Sequence, residues 1–169
     1  MLKFIMVKAK EERGDFMVGL GLALAVMLLI VTMSMSIFSS TSKAQALQAA
    51  ESQLLHVQSK TRSVFQNSDF SDLDTSVALK NGVFFPDMVR GSEVVNAFGG
   101  KVELGKGATS SEMKITFTKV PPESCGQFTM AQGSWSGVEV NGSEVETNSV
   151  ASVTDACSQD DNTVAFKSY

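Results

Sequence analysis

Cys125 and Cys157 are the two side chains most able to form a covalent link, 32 positions apart. In an oxidising compartment they favour a disulfide. Such a bond would restrict the unfolded chain by ~3–4 kcal/mol in the loop-entropy account. The alternative is two buried free thiols. Metal ligation is remote, because neither a Cys-x-x-Cys spacing nor a nearby His is present. The remaining candidates are sparse. His56 is the sole histidine and lies on an amphipathic stretch, where an ordinary interface or surface role is favoured over ligation. Trp135, between Gly133 and Gly137, reads as a packed anchor in a variable loop, with a receptor contact as the alternative. Asn141-Gly142-Ser143 fits the glycosylation pattern and equally well a tight turn. Asp155, Asp160 and Asp161 lack the spacing of a calcium loop and read as a solvated turn. One His, one Tyr and one Trp leave little for a catalytic centre, so no enzyme and no cofactor is expected. A net charge of −4 gives no electrostatic reason to bind nucleic acid.

The elements that would position these residues begin with an anchor. Phe16 to Ser42 carries no charged side chain, enough for a membrane-spanning helix, which needs ~20 residues. Lys3, Lys8, Lys10 and Arg13 precede it, which places the N-terminus in the cytoplasm and the rest of the chain, both cysteines included, outside. From Ser40 to Gln66 there is no Pro or Gly, and Leu47, Ala50, Leu54, Val57, Thr61, Val64 and Phe65 form one apolar stripe at three- and four-residue intervals. Gln45, Gln48, Glu51, Gln53, Ser59, Lys60 and Arg62 fall on other faces. One helix from about Phe16 to Gln66 would be roughly 75 Å long, apolar all round in its first half and amphipathic in its second.

Three readings of this segment compete. A secretory signal would be cut at Ala44-Gln45-Ala46, but the apolar run is too long for one and the helical pattern passes through the site. A plain anchor leaves the long amphipathic continuation unexplained. In the third reading, Lys8-Ala9-Lys10-Glu11-Glu12-Arg13-Gly14 is a charged leader and Asp15-Phe16-Met17-Val18-Gly19-Leu20 opens the mature helix. This resembles the class III signal of type IV prepilins. The resemblance implies that a prepilin peptidase cuts between Gly14 and Asp15 and that the amine of Asp15 is methylated.

The rest of the chain carries the same resemblance. Asn96-Ala97-Phe98-Gly99-Gly100-Lys101-Val102-Glu103-Leu104 resembles the Asn-x-aromatic-Gly-Gly segment leading into the first central strand of type IVb pilins. Ile115–Val120 alternates as a strand, and Pro121-Pro122 stops it and can open a short helix holding Cys125. Val153–Cys157 reads as a second helical piece and Asn162–Tyr169 as a last strand. This order is similar to bundle-forming pilin and plasmid thin-pilus pilins. Between helix and sheet, residues 67–85 read as a short helix plus loop, with Asn81-Gly82 a turn.

The expected fold is therefore α+β. It comprises a leader at 1–14, a long helix at 15–66 with 16–38 in the membrane or filament core, and a head at 67–169. In that head an antiparallel sheet of four or five strands packs on the helix, and the disulfide-bounded region 125–157 ties down the sheet edge. The resemblance implies a structural subunit that leaves the inner membrane of a Gram-negative bacterium and polymerises with copies of itself into a surface filament, served by the assembly machinery. Assembly falls to Asp15, Phe16 and Gly19. Most type IV pilins carry Glu where Gly19 stands, and Asp15 is the carboxylate available instead. The alternatives are a minor or initiating pilin, a secretion pseudopilin and, from another class, a single-pass anchored periplasmic binding domain.

Overall fold

The computed structural model describes residues 20–22, 24–27 and 42–169. The chain divides between Ser42 and Lys43 into two units. Residues 20–22 and 24–27, in the first, are helical. The second holds a complete hydrophobic core of its own, with Ala50 its first buried member.

Helix α1 spans residues 42–64. Ala50, Leu54, Val57 and Thr61 are fully buried, as three- and four-residue spacing on one face requires. Two positions depart from the expected stripe. Val64 is exposed, because the helix ends there and turns away at residues 65–67. Gln53, expected on a polar face, is buried because its side-chain oxygen accepts the Ala97 N–H at 3.0 Å.

After α1 come α2 (Thr75–Lys80), a single 3₁₀ turn (Pro86–Met88) and a small hairpin of β1 (Val89–Arg90) and β2 (Glu93–Val94) that sequence patterning did not disclose. Strands β3 (Val102–Lys106) and β4 (Met113–Val120) follow, then α3 (Pro122–Thr129), β5 (Gly137–Val140), β6 (Ser143–Glu144), α4 (Val150–Ala156) and β7 (Asn162–Ser168). Pro122 occupies the first turn of α3, where its missing N–H costs nothing.

The five-stranded antiparallel sheet runs β3-β4-β7-β5-β6. The last strand in sequence is thus the central strand in space. The Asn96–Gly100 segment leads into β3, which is an edge strand and not a central one, because β7 takes the place beside β4. Inward residues alternate along each strand: Val102 and Leu104, then Met113, Ile115 and Phe117, Val164 and Phe166, Val138 and Val140. Phe128 of α3 stands edge-on to both Phe117 and Phe166 at 5.0 and 5.2 Å, which fixes α3 over the sheet.

Candidate assembly surface

Gly14, Asp15, Phe16 and Gly19, the residues assigned to processing and assembly, lie outside the described residues, as does the leader 1–14 and most of the segment 16–38. Within that segment, Leu20, Leu22, Leu24, Val26 and Met27 expose 46–66% of their surface. Apolar side chains bared to this extent over a short stretch mark a contact surface. Among the described residues no helix is long and apolar enough to cross a membrane.

In the second unit the outer side of α1 shows Leu55 among Gln48, Ser52, Ser59 and Arg62, while Val64 is bared at the end of the helix. Polar contacts from two of its side chains fix the rotation of this helix. The Gln58 amide donates to the Ser168 hydroxyl at 2.9 Å and to the Ser134 carbonyl at 3.2 Å, and the Arg62 guanidinium donates to the same hydroxyl at 2.8 Å. The Ser168 hydroxyl in turn donates to the Ser134 carbonyl. A wholly buried serine near the chain end thus ties α1 to the central strand. Sequence reasoning missed Gln53, Gln58 and Ser168; the only available signal was an uncharged polar residue one position from an apolar one on a helix.

Cys125 and Cys157 are joined, their Cα atoms 5.8 Å apart. The bond connects the middle of α3 to the C-cap of α4, so it ties helix to helix, where the sequence predicts a tie to the sheet edge itself. The edge strand β6 is secured from within by its turn. Asn141 and Gly142 both have positive φ, 53° and 83°, the two-residue hairpin geometry that Asn-Gly favours. The Asn141 amide donates to the Ala156 carbonyl and to Asn162 Oδ1, and Asn141 Oδ1 accepts the Thr163 N–H. The turn reading of Asn141 therefore has a physical basis: its side-chain nitrogen is already committed twice. Trp135 packs on Phe166 at 4.9 Å and donates to the Ala131 carbonyl. A Cβ on Gly133 would strike its ring, so one side of the indole is covered by backbone.

The outer face of the sheet carries an ordered row of charge. Glu139 bridges Lys114 and Lys167, the latter at 2.8 Å, and Lys167 also lies 3.7 Å from Glu144. The hydrogen bond from Lys114, followed by that from Lys167, holds the Glu139 carboxyl below its ordinary pKa. Lys167 is correspondingly raised, first by Glu139. His56 stacks on Phe85 with centroids 3.7 Å apart, and burial, then the charge of Lys60, lowers its pKa. Asp155, Asp160 and Asp161 are exposed, and among the described residues no three His, Cys, Asp or Glu side chains converge as a metal site.

Residues 44–169 match the PilS N-terminal family. The fold is also similar to that of TcpA, a type IV pilin from Vibrio cholerae El Tor biotype, with a TM-score of 0.52 at 15% identity over 74% of this chain and 99% of that one. No curated protein sequence matches the chain. A helix laid across an antiparallel sheet whose last strand is central, a cysteine pair bounding α3 to α4, and a family match over the whole head lead to one conclusion: the chain belongs to the PilS N-terminal family and is a type IVb pilin, a structural subunit of a type IV pilus.

Proposed function

We propose that this subunit is cut between Gly14 and Asp15 by a prepilin peptidase and polymerises with copies of itself through the helix that begins at Asp15. Before assembly the apolar segment lies in the inner membrane, with the N-terminus cytoplasmic and the head periplasmic. The assembly machinery then extracts it into an extracellular filament, and burial against neighbouring helices replaces burial in lipid. The chain has no catalytic role. The observation that carries this reading is the division of apolar surface: the head closes its own core from Ala50 onward, whereas Leu20, Leu22, Leu24, Val26 and Met27 stay exposed on the single chain. That surplus is satisfied by copies of the same helix.

Gly19 leaves the filament core without the usual Glu, and Asp15 supplies the carboxylate that pairs with a neighbour's terminal amine. A buried ammonium without a partner is costly at each added subunit. The experiment is Asp15→Asn, with sheared-filament yield measured beside leader cleavage. Loss of filaments with cleavage retained is expected, and Glu at Gly19 in that background should restore part of the yield. Normal yield from Asp15→Asn would remove Asp15 from this role. Filaments that form only with a separate major pilin present would make this chain a minor, initiating subunit.

A further inference from the structure

The chain contains two Asn-Gly pairs, Asn81-Gly82 and Asn141-Gly142. Asn-Gly is the dipeptide most open to spontaneous deamidation, since glycine places no side chain in the way of its own nitrogen. In that reaction the Gly N–H nitrogen attacks Cγ of the preceding Asn and a new C–N bond closes a succinimide. The Cγ–Nδ2 bond breaks and ammonia leaves with the proton taken from the glycine nitrogen. Water then opens the ring at either carbonyl, giving aspartate or isoaspartate. From sequence the two pairs are equivalent. In the structure they are not.

Asn141 has its carboxamide fixed from three sides. Nδ2 donates to the Ala156 carbonyl at 3.0 Å and to Asn162 Oδ1 at 2.9 Å, while Oδ1 accepts the Thr163 N–H at 2.9 Å. Asn162 is itself fully buried and donates to the carbonyls of Val120 and Gln159. Moving Cγ of Asn141 towards Gly142 N would break this network at the junction of β5, β7, α4 and the Cys157 staple. Asn81 is the exposed C-cap of a six-residue helix, and its carboxamide makes one contact, from Nδ2 to the Val77 carbonyl at 2.9 Å. The attacking nitrogen of Gly82 is held only by a 3.2 Å bond to the Leu79 carbonyl, and no heavy atom lies within 4 Å of a Cβ built at Gly82. Fraying of the last turn of α2 frees both groups at once.

We propose that Asn81 is a site of spontaneous deamidation in the folded protein and that Asn141 is protected by its clamp. The product adds a negative charge at the C-terminal end of α2, and the isoaspartate form lengthens the backbone two residues before the buried anchor Val83. Deamidation of a subunit that is already folded and exported would make this a slow chemical mark of its age. The assignment does not depend on polymerisation, so it is tested on the full-length chain purified in detergent. Incubation at mildly alkaline pH, followed by peptide mapping that separates amide, acid and iso-acid forms, should show the Asn81 peptide converting on the order of tenfold or more faster than the Asn141 peptide, because the clamped residue reacts only in locally opened molecules. In urea the two rates should converge. Equal rates in the folded chain, or faster reaction at Asn141, would overturn the proposal. So would an Asn81 peptide that stays unmodified while the urea control reacts.

Discussion

The two edges of the sheet are secured by the same device and differ in what supports it. At the β3 edge the Asn96 carboxamide accepts the N–H groups of Phe98 and Gly100 and donates to the carbonyls of Thr118 and Lys101. At the β6 edge Asn141 and Asn162 do corresponding work. The segments that flank Asn96 are well buried: Val94 and Val102 are nearly inaccessible. The Thr75 hydroxyl also engages both the N–H and the carbonyl of Leu104, which blunts the open edge of β3. At the β6 edge itself apolar burial is thin. Strand β6 has no buried residue, and α4 buries only Val153. The disulfide belongs to this second region. The covalent staple holds α4, whose one buried helical residue is Val153, to the well-buried α3.

The largest expected effect breaks that staple. Cys157→Ser with Cys125→Ser should lower head stability by ~3–4 kcal/mol. Hydrogen exchange should show α4 and β6 opening first while β3 and β4 keep their protection. Uniform loss of protection would contradict the division of labour. At the other edge the corresponding weakness is steric. Gly100 has no room for a Cβ, which would run into the Thr118 backbone carbonyl. Gly100→Ala should cost about 3 kcal/mol by overpacking, measured by thermal unfolding. By contrast Gly126, inside α3 with nothing within 4 Å of a built Cβ, should gain up to ~1 kcal/mol as alanine.

A further substitution compares the clamps directly. Asn162→Ala leaves the Asn141 amide and the Val120 carbonyl each short of a partner, at a cost of roughly 2 kcal/mol. The same loss should be smaller in disulfide-free protein, where this region is already loosened, and additive if the clamp and the staple act independently.

The smallest effect is electrostatic. The Glu139 carboxyl is held below its ordinary value by Lys114 and Lys167. As pH falls, the unfolded chain therefore binds this proton first. The stabilisation is complete above about pH 4.3 and is lost as pH drops through the lower folded value. Lys167 is raised, so its share is complete below about pH 10.4 and is lost as pH rises through its folded value. His56 is lowered by burial and Lys60, so its contribution is complete above about pH 6.5 and fades on acidification through the folded value. Glu139→Gln should cost about 1 kcal/mol near neutrality and flatten the acid limb of the stability curve. An unchanged acid limb would assign that limb to other carboxylates.

Much of this fold was legible because local rules and tertiary placement agree. Pro121-Pro122 ends β4 and opens α3, Asn141-Gly142 makes its hairpin, and the α1 stripe at Ala50, Leu54 and Val57 is buried as spacing requires. What stayed hidden depends on distant partners. Gln53 and Gln58 are buried by hydrogen bonds to Ala97, Ser134 and Ser168, residues far away in sequence. The edge position of β3 follows from β7 returning to the centre, which no local pattern encodes. Lys119 takes a positive φ of 57° at the irregularity between Phe117 and Val120, where a lysine gives no sequence signal at all. Of the candidate site, the cysteine pair was readable from residue type and compartment; the edge it was expected to secure is instead held by a turn carboxamide.

Leu20, Leu22, Leu24, Val26 and Met27 are left bare on the single chain, and filament assembly would cover them. Intact-mass analysis of filaments sheared from cells tests it most directly. The account predicts one chain beginning at Asp15, carrying a methylated amine and the Cys125–Cys157 bond, as the filament's repeating subunit. A mature chain beginning at Leu47 would mean that the apolar segment is a discarded signal, and would contradict assembly through this helix.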